Sequence, residues 1–336
     1  MKILGSGHPD SGCSYHRIIL PLGYMNDVKG YVTNVFQEEQ LSQQWDIYFY
    51  NRVSSLDMQL EKIKNQIGCK IILDMDDDWV LPSNHINYDT YADMKVRIEN
   101  NISIADLVTC TNERLANRIK KINSNVSVQP NALPYGSNQF TDTKVHDERI
   151  RIFWCGGISH EKDIEILKNP IKRLKGLGKK ILMVLGGYND TNHSSKIIWE
   201  KMLSSFTAGG TIPYVKLKGV GPNEYMTMYK FADIMLIPLE NSEWHSCKSN
   251  LKILEAASKK IPCIVSAVEP YINDKDAPVL WVEKQSDWFT HLNYLINNPT
   301  ARIELGERLH EWAIKKYNLT TINETRRQTF SDLIKA

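Results

Sequence analysis

Short apolar runs alternate with longer amphipathic stretches along the chain, and the alternation restarts once. In the first half the runs Lys2–Leu4, Tyr31–Phe36, Asp46–Tyr50, Lys70–Asp74, Leu107–Cys110 and Val126–Gln129 predict strands. Helical stretches separate most of them, over about 15–27, 54–67, 90–104 and 112–122. Asn112 is placed to cap the last of these, and Lys120 and Lys121 suit its C-terminal dipole. In the second half strands are expected at Arg151–Cys155, Lys180–Leu185, Val215–Lys218, Ile234–Pro238, Cys263–Ser266 and Val279–Val282. Helices then fill about 162–175, 194–205, 223–231, 248–259 and 285–297, and Thr300–Ala336 reads as helix throughout. This rhythm is that of βαβ units around a parallel sheet, so an α/β chain with two Rossmann-like domains is expected.

The domain limits follow from where the rhythm lapses. Residues 1–135 form the first domain and 149–317 the second; 136–148 link them, after the turn chemistry that begins at Pro130. Residues 318–336 are expected as a last helix that packs back on the first domain. Charge divides along the same line. The 336 residues carry 41 Lys+Arg and 39 Asp+Glu, a formal charge of +2. Residues 1–148 hold 14 basic and 19 acidic side chains, and residues 149–336 hold 27 and 20. An acidic half joined to a basic one argues against a nucleic-acid coat protein and leaves room for an anionic ligand in the second half.

Several classes drop out. No stretch approaches the roughly 18 apolar residues of a membrane helix, and Met1–Gly7 turns polar too soon for a secretory signal. Cys13, Cys69, Cys110, Cys155, Cys247 and Cys263 form no CxxC pair, which reads as reduced thiols in a cytoplasmic protein without a zinc site.

Four segments could carry chemistry. Gly5–Tyr15 is a glycine-bearing loop before the first helix, with His16 and Arg17 just inside it, able to face a ligand or pair with a carboxylate. Asp74-Met75-Asp76-Asp77-Asp78-Trp79 follows a strand, and its four carboxylates need compensation by a cation, by loop amides or by an arginine. Trp154–Asp163 runs from a strand into Gly156-Gly157 and then a helix, with Lys162 placed to meet a phosphate. Glu243–Ala257 follows a strand and enters a helix whose first N–H groups, at Lys248–Leu251, would bind an anion beside the Lys248 and Lys252 ammonium groups. Glu255 lies further along, at a distance suited to a ribose diol. His245 and Cys247 lack a second pair at metal-ligand spacing.

Together these residues resemble the GT-B glycosyltransferases, specifically the retaining, nucleotide-sugar-dependent glycosyltransferase family 4. Leu254–Ser266 matches the second half of that family's motif of two glutamates eight positions apart. Glu255 falls at the ribose-binding glutamate, whereas Cys247 stands at the first one. Lys162 matches the diphosphate-binding lysine, but Gly157 occupies the usual arginine position, a charge that Lys248 and Lys252 can replace. Val215–Val220 is similar to the strand and loop that hold the nucleobase, and Val128–Asn131 to the Pro-Asn segment before the linker. The acidic run with its downstream Lys-Ser-x-x-Lys-x-x-x-Glu resembles a subgroup frequent in bacterial surface-polysaccharide clusters and phage genomes.

The resemblance implies a GT-B fold, two Rossmann-like domains facing a central cleft, and transfer of a sugar from a UDP- or GDP-linked donor to an acceptor hydroxyl. Gly156, Gly157, His160, Lys162, Val220, Lys248, Ser249, Asn250, Lys252 and Glu255 would hold the donor. Ser11, Gly12, Tyr15, Arg17 and Asp78 would hold a carbohydrate, lipid-linked or nucleic-acid acceptor. Asp76, Asp77, Lys162 and Lys248 would serve catalysis. No metal or other cofactor is expected, because lysines and helix dipoles neutralise the leaving diphosphate. Other readings are a phage-type enzyme acting on modified DNA bases, a nucleotide-sugar epimerase, and a catalytically silent nucleotide-sugar-binding protein.

Overall fold

The computed structural model describes the chain apart from residues 26–27, 34–42, 53–59, 61–63, 66–67, 146 and 178–179, and gives the backbone alone for 29–33. The expected helix over 54–67 therefore lies largely outside the described residues, as does the end of the expected strand Tyr31–Phe36. Two compact units are present. Unit 1 holds Met1–Ala132, Ser246–Ser249 and Tyr317–Ala336, and unit 2 holds Leu133–His245 and Asn250–Lys316.

Unit 1 is built on a six-stranded sheet in the order β2-β1-β3-β4-β5-β6, parallel throughout. Its strands are β1 (Lys2–Ser6), β2 (Lys29–Thr33), β3 (Ile47–Asn51), β4 (Lys70–Met75), β5 (Leu107–Cys110) and β6 (Val126–Val128). Register pairs Leu4 with Tyr48, Phe49 with Ile72 and Leu73 with Val108. The central strands are covered on both faces, which is why they read as unbroken apolar runs. Tyr48, Tyr50, Ile71 and Leu73 join one core layer, and Ile47, Phe49 and Ile72 the other. Phe330 of the helix Leu319–Lys335 completes the second layer against the Phe49 ring.

The first helical stretch begins at Gly12 rather than near residue 15, because Ser11 caps it by accepting from the Ser14 N–H. It then widens into a π-helical turn over Tyr15–Ile19 before Leu20–Gly23. Pro21, with no N–H to give, sits where that turn closes.

Unit 2 repeats the architecture with β7 (Ile150–Cys155), β8 (Ile181–Tyr188), β9 (Tyr214–Lys218), β10 (Ile234–Ile237), β11 (Cys263–Ser266) and β12 (Leu280–Val282). Their parallel order is β12-β11-β10-β7-β8-β9, the Rossmann arrangement of two βαβ halves. Strand order reverses between β7 and β10 here, and between β1 and β3 in unit 1. Ligands of such sheets sit at the carboxyl ends of the strands beside that reversal.

Three expectations about unit 2 are corrected. The supposed linker 136–148 is part of the unit: Phe140 is fully buried, and the fully buried Lys259 donates to the carbonyls of Gln139 and Thr141 at 2.7 and 2.5 Å. The helix expected over 162–175 is broken into Glu161–Glu165 and Lys168–Lys172, since Pro170 is tolerated only in a first turn. The segment near 223–231 is a 3₁₀ helix, Tyr225–Phe231.

Candidate functional site

In unit 2 the carboxyl end of β7 leads into Gly156 and Gly157, and the two glycines have different reasons to be glycine. A Cβ on Gly156 would lie 2.8 Å from the Trp154 ring and 3.2 Å from His160, so the backbone is pressed against its own core. A Cβ on Gly157 would meet nothing within 4 Å, so that position opens outward. Lys162 is exposed on the short helix that follows.

Asp163, one residue on, is 1% exposed and gathers its neighbours. His160 Nδ1 lies 2.6 Å from its carboxylate, the Glu240 N–H donates to it at 2.7 Å, and His245 Nε2 stands 4.0 Å away. Burial pushes this carboxyl up, but the His160 hydrogen bond and the two histidines outweigh it and hold the group low. One buried carboxylate thus ties the loop after β10 to the helix after β7, at the reversal point of the sheet.

The helix Leu251–Ser258 crosses the same region. Lys252 Nζ donates to the Cys155 carbonyl at the end of β7 and lies 5.6 Å from the Trp154 ring centroid. Glu255, one turn on, is buried and accepts from the Tyr229 hydroxyl at 2.5 Å. Burial lifts its carboxyl to about 7, against the opposing pull of Lys252 and Tyr229. The Cys155 thiol donates to Tyr225 at 3.2 Å, and burial pushes that thiol up to about 12, too high for a nucleophile. Asn250, expected as a donor contact, gives its side-chain amide to Asp274 at 2.7 Å. Val220 is exposed in the loop after β9.

Lys248 and Ser249 group with unit 1 rather than with unit 2. Segment 246–249 packs in unit 1. Cys247 is fully buried in that unit's core with Tyr48, Met75 and Trp79, and Asn112 Nδ2 holds the Cys247 and Lys248 carbonyls at 3.0 and 2.7 Å. Position 247 is therefore a core position. Burial, with Asp78 beside it, raises the Cys247 thiol to about 11.

Unit 1 also resolves the acidic run, because each carboxylate has a cation beside it, with Arg52 shared between Asp76 and Asp77. Arg17 clasps Asp74 in a bidentate pair, both bonds 2.8 Å, with both residues 1% exposed. Thr109 donates to the same carboxylate at 2.7 Å. Arg52 Nε meets Asp76 at 2.6 Å, Lys248 Nζ meets Asp77 at 3.5 Å, and Arg118 meets the buried Asp78 at 2.8 Å. Burial pushes Asp76 up, but Arg52 reverses this and, with Cys13 and Asn51, holds it below the usual carboxylate range. Its carboxylate accepts from Arg52 Nε and from Asn51 Nδ2 at 3.1 Å. Among the described residues, no three His, Cys, Asp or Glu side chains are arranged to hold a metal ion.

Of the residues expected on the acceptor side, Gly12 is exposed and Ser11 part exposed, whereas Tyr15, Arg17 and Asp78 are buried. Arg17 takes the carboxylate alternative, and a third hydrogen bond, to Asn131 Oδ1 at 3.0 Å, completes its setting. Sequence reading missed Arg52, which adopts a left-handed φ of +55° at the end of β3 and also bonds Tyr91. Its one signal was its place after an apolar strand. Tyr229 was missed because its partner Glu255 lies 26 residues away, and Asp163 because, besides the nearby His160, it holds Glu240, 77 residues on.

No protein-family model matches the chain, and no curated protein matches its sequence. Solved structures do match. Sucrose-phosphate synthase from Thermosynechococcus elongatus is 13% identical with a TM-score of 0.69, over 99% of this chain and 98% of its own. Anabaena HepE in complex with UDP is 11% identical with a TM-score of 0.66, over 99% of this chain and all of its own. The E. coli trehalose-6-phosphate structure bound with UDP-2-fluoro glucose is 12% identical with a TM-score of 0.66, over 100% and 99% of the two chains. At these identities the likeness speaks for the fold alone, and with two six-stranded parallel sheets in one chain that fold is GT-B.

Proposed function

We propose that the protein is a glycosyltransferase that moves a sugar from a nucleoside diphosphate sugar to an acceptor hydroxyl, with unit 2 holding the donor. The observation that carries this reading is the helix Leu251–Ser258. It brings a lysine ammonium to the carboxyl end of β7 and, one turn on, a buried glutamate, both beside the reversal of strand order. A cation for the diphosphate and a carboxylate for the ribose diol are what a nucleotide-sugar site at that place requires. Gly157, open to ligand approach, and the exposed Lys162 add to the phosphate side. Structures of the same fold carry UDP, UDP-glucose and UDP-2-fluoro glucose, which supports a UDP-linked donor.

The reaction is read as retaining and metal-independent, with the leaving phosphate taking the acceptor proton. Support for metal independence lies in the acidic run, whose four carboxylates already have Arg17, Arg52, Lys248 and Arg118 as counter-charges. Calorimetric titration with UDP, GDP and their sugars tests the donor site. Lys252→Ala should weaken binding about tenfold or more, as expected for a lost charge-assisted hydrogen bond. Absence of binding by any nucleoside diphosphate, or wild-type affinity in Lys252→Ala, would sink the assignment.

A second reading, a binding protein without turnover, is favoured by one observation: the first motif position holds Cys247, buried in the core of unit 1. It expects donor binding with neither transfer nor donor hydrolysis, which a nucleotide-release assay separates from the first reading.

A further inference from the structure

The helix Leu319–Lys335 of unit 1 buries Asn323, Arg326 and Phe330 on one face, at the spacing of successive turns. Phe330 finds Phe49, and Asn323 Nδ2 donates to the Pro21 carbonyl at 2.9 Å. Arg326 is 2% exposed, yet its side-chain partner among the described residues is a neutral oxygen, Asn323 Oδ1. Arg17, equally buried, shows the usual solution, a bidentate carboxylate.

Asp74 serves Arg17, and no carboxylate is within ion-pair distance of Arg326 among the described residues. Burial first, and the Arg17 charge second, pull Arg326 down to about 9, with Asp74 alone opposing. Among the described residues this buried patch thus holds two guanidinium groups and one carboxylate, one negative charge fewer than its cations. Its position is also informative. Gln129, directly after β6, donates to Thr329 one turn beyond Arg326 at 3.3 Å, and Asp74 lies near the end of β4. The patch therefore lies toward the carboxyl ends of the strands, where open α/β sheets take their ligands.

We propose that Arg326 is the anchor of an oxyanion site in unit 1 that takes a phosphate or carboxylate group. The planar guanidinium fork suits either group, and the bound anion supplies the charge that the described residues leave out. This site goes beyond the donor reading and does not rest on it.

Calorimetric titration of the full chain with inorganic phosphate, and separately with acetate, at ionic strength fixed with chloride, tests the site. Saturable binding of one anion is expected, with Tm raised by about 2 °C or more at a hundredfold excess over Kd. Arg326→Gln should lose at least about tenfold in affinity. Tighter binding of phosphate identifies a phosphorylated ligand, and tighter binding of acetate a carboxylate. Arg326→Met should be more stable than wild type without the anion, and the order should reverse in its presence. No saturable binding to wild type overturns the site whether or not a variant folds. Wild-type affinity in Arg326→Gln does so too, by placing the anion elsewhere. No nucleotide is used, so failure here leaves the donor reading standing.

Discussion

Glu255→Gln gives the sharpest test of the buried network in unit 2. Glu255 is 3% exposed, and burial lifts its carboxyl from an ordinary 4.5 to about 7. A carboxyl raised in this way binds its proton more tightly in the folded chain than in the unfolded one. The stabilisation is complete below about 4.5 and is lost as pH rises through 7. At about 1.36 kcal/mol per pH unit, the carboxyl should cost unit 2 about 2–3 kcal/mol between pH 5 and pH 8. Glutamine has no proton to lose and keeps the Tyr229 hydrogen bond, so the variant should lack this loss. Urea denaturation of both proteins at intervals from pH 5 to 9, followed by tryptophan fluorescence, measures the difference. Parallel pH profiles would refute the reasoning, since they would mean that Glu255 is already ionised in the fold or is hydrated. The proposed ribose contact uses the carboxylate form, so donor affinity should rise across the same window and lose that dependence in the variant.

Other perturbations separate charge from packing. Arg17→Met leaves Asp74 buried without its cation and should cost about 3–5 kcal/mol in urea denaturation, while Arg17→Met with Asp74→Leu should recover most of it. Gly187→Ala should cost about 2 kcal/mol or more, because Gly187 has φ of +87° and a Cβ there would lie 2.5 Å from the Gly156 carbonyl. Gly157→Ala meets open space and should leave Tm nearly unchanged, so a fall in donor affinity in that variant would report the ligand itself.

Much of the fold was legible in order and period. Among the described residues, twelve strands arise where apolar runs predict them, with Leu107–Cys110 and Cys263–Ser266 matching residue for residue. Strands covered on both faces leave a continuous apolar trace, and Asn112 announced a helix start by its capping chemistry, accepting from Leu115 at 2.8 Å. One error came where no periodic signal exists. Residues 136–148 read as a linker because they are turn-rich, yet Lys259 and Phe140 bind them into unit 2 through partners distant in sequence.

The candidate sites divide in the same way. That the carboxylates after β4 need counter-charges followed from their number and spacing. Which cation serves which carboxylate did not, because Arg17, Arg52, Arg118 and Lys248 come from four separate segments. Composition and periodicity are local properties of the chain, and they determined an acidic and a basic half, parallel strands and the glycine and lysine loops at their ends. Tertiary structure alone decided that Cys247 is core, that Asp163 gathers two histidines, and that Arg326 is buried without a carboxylate among the described residues. Burial and pairing depend on which distant segments the fold brings together, and no local pattern encodes that.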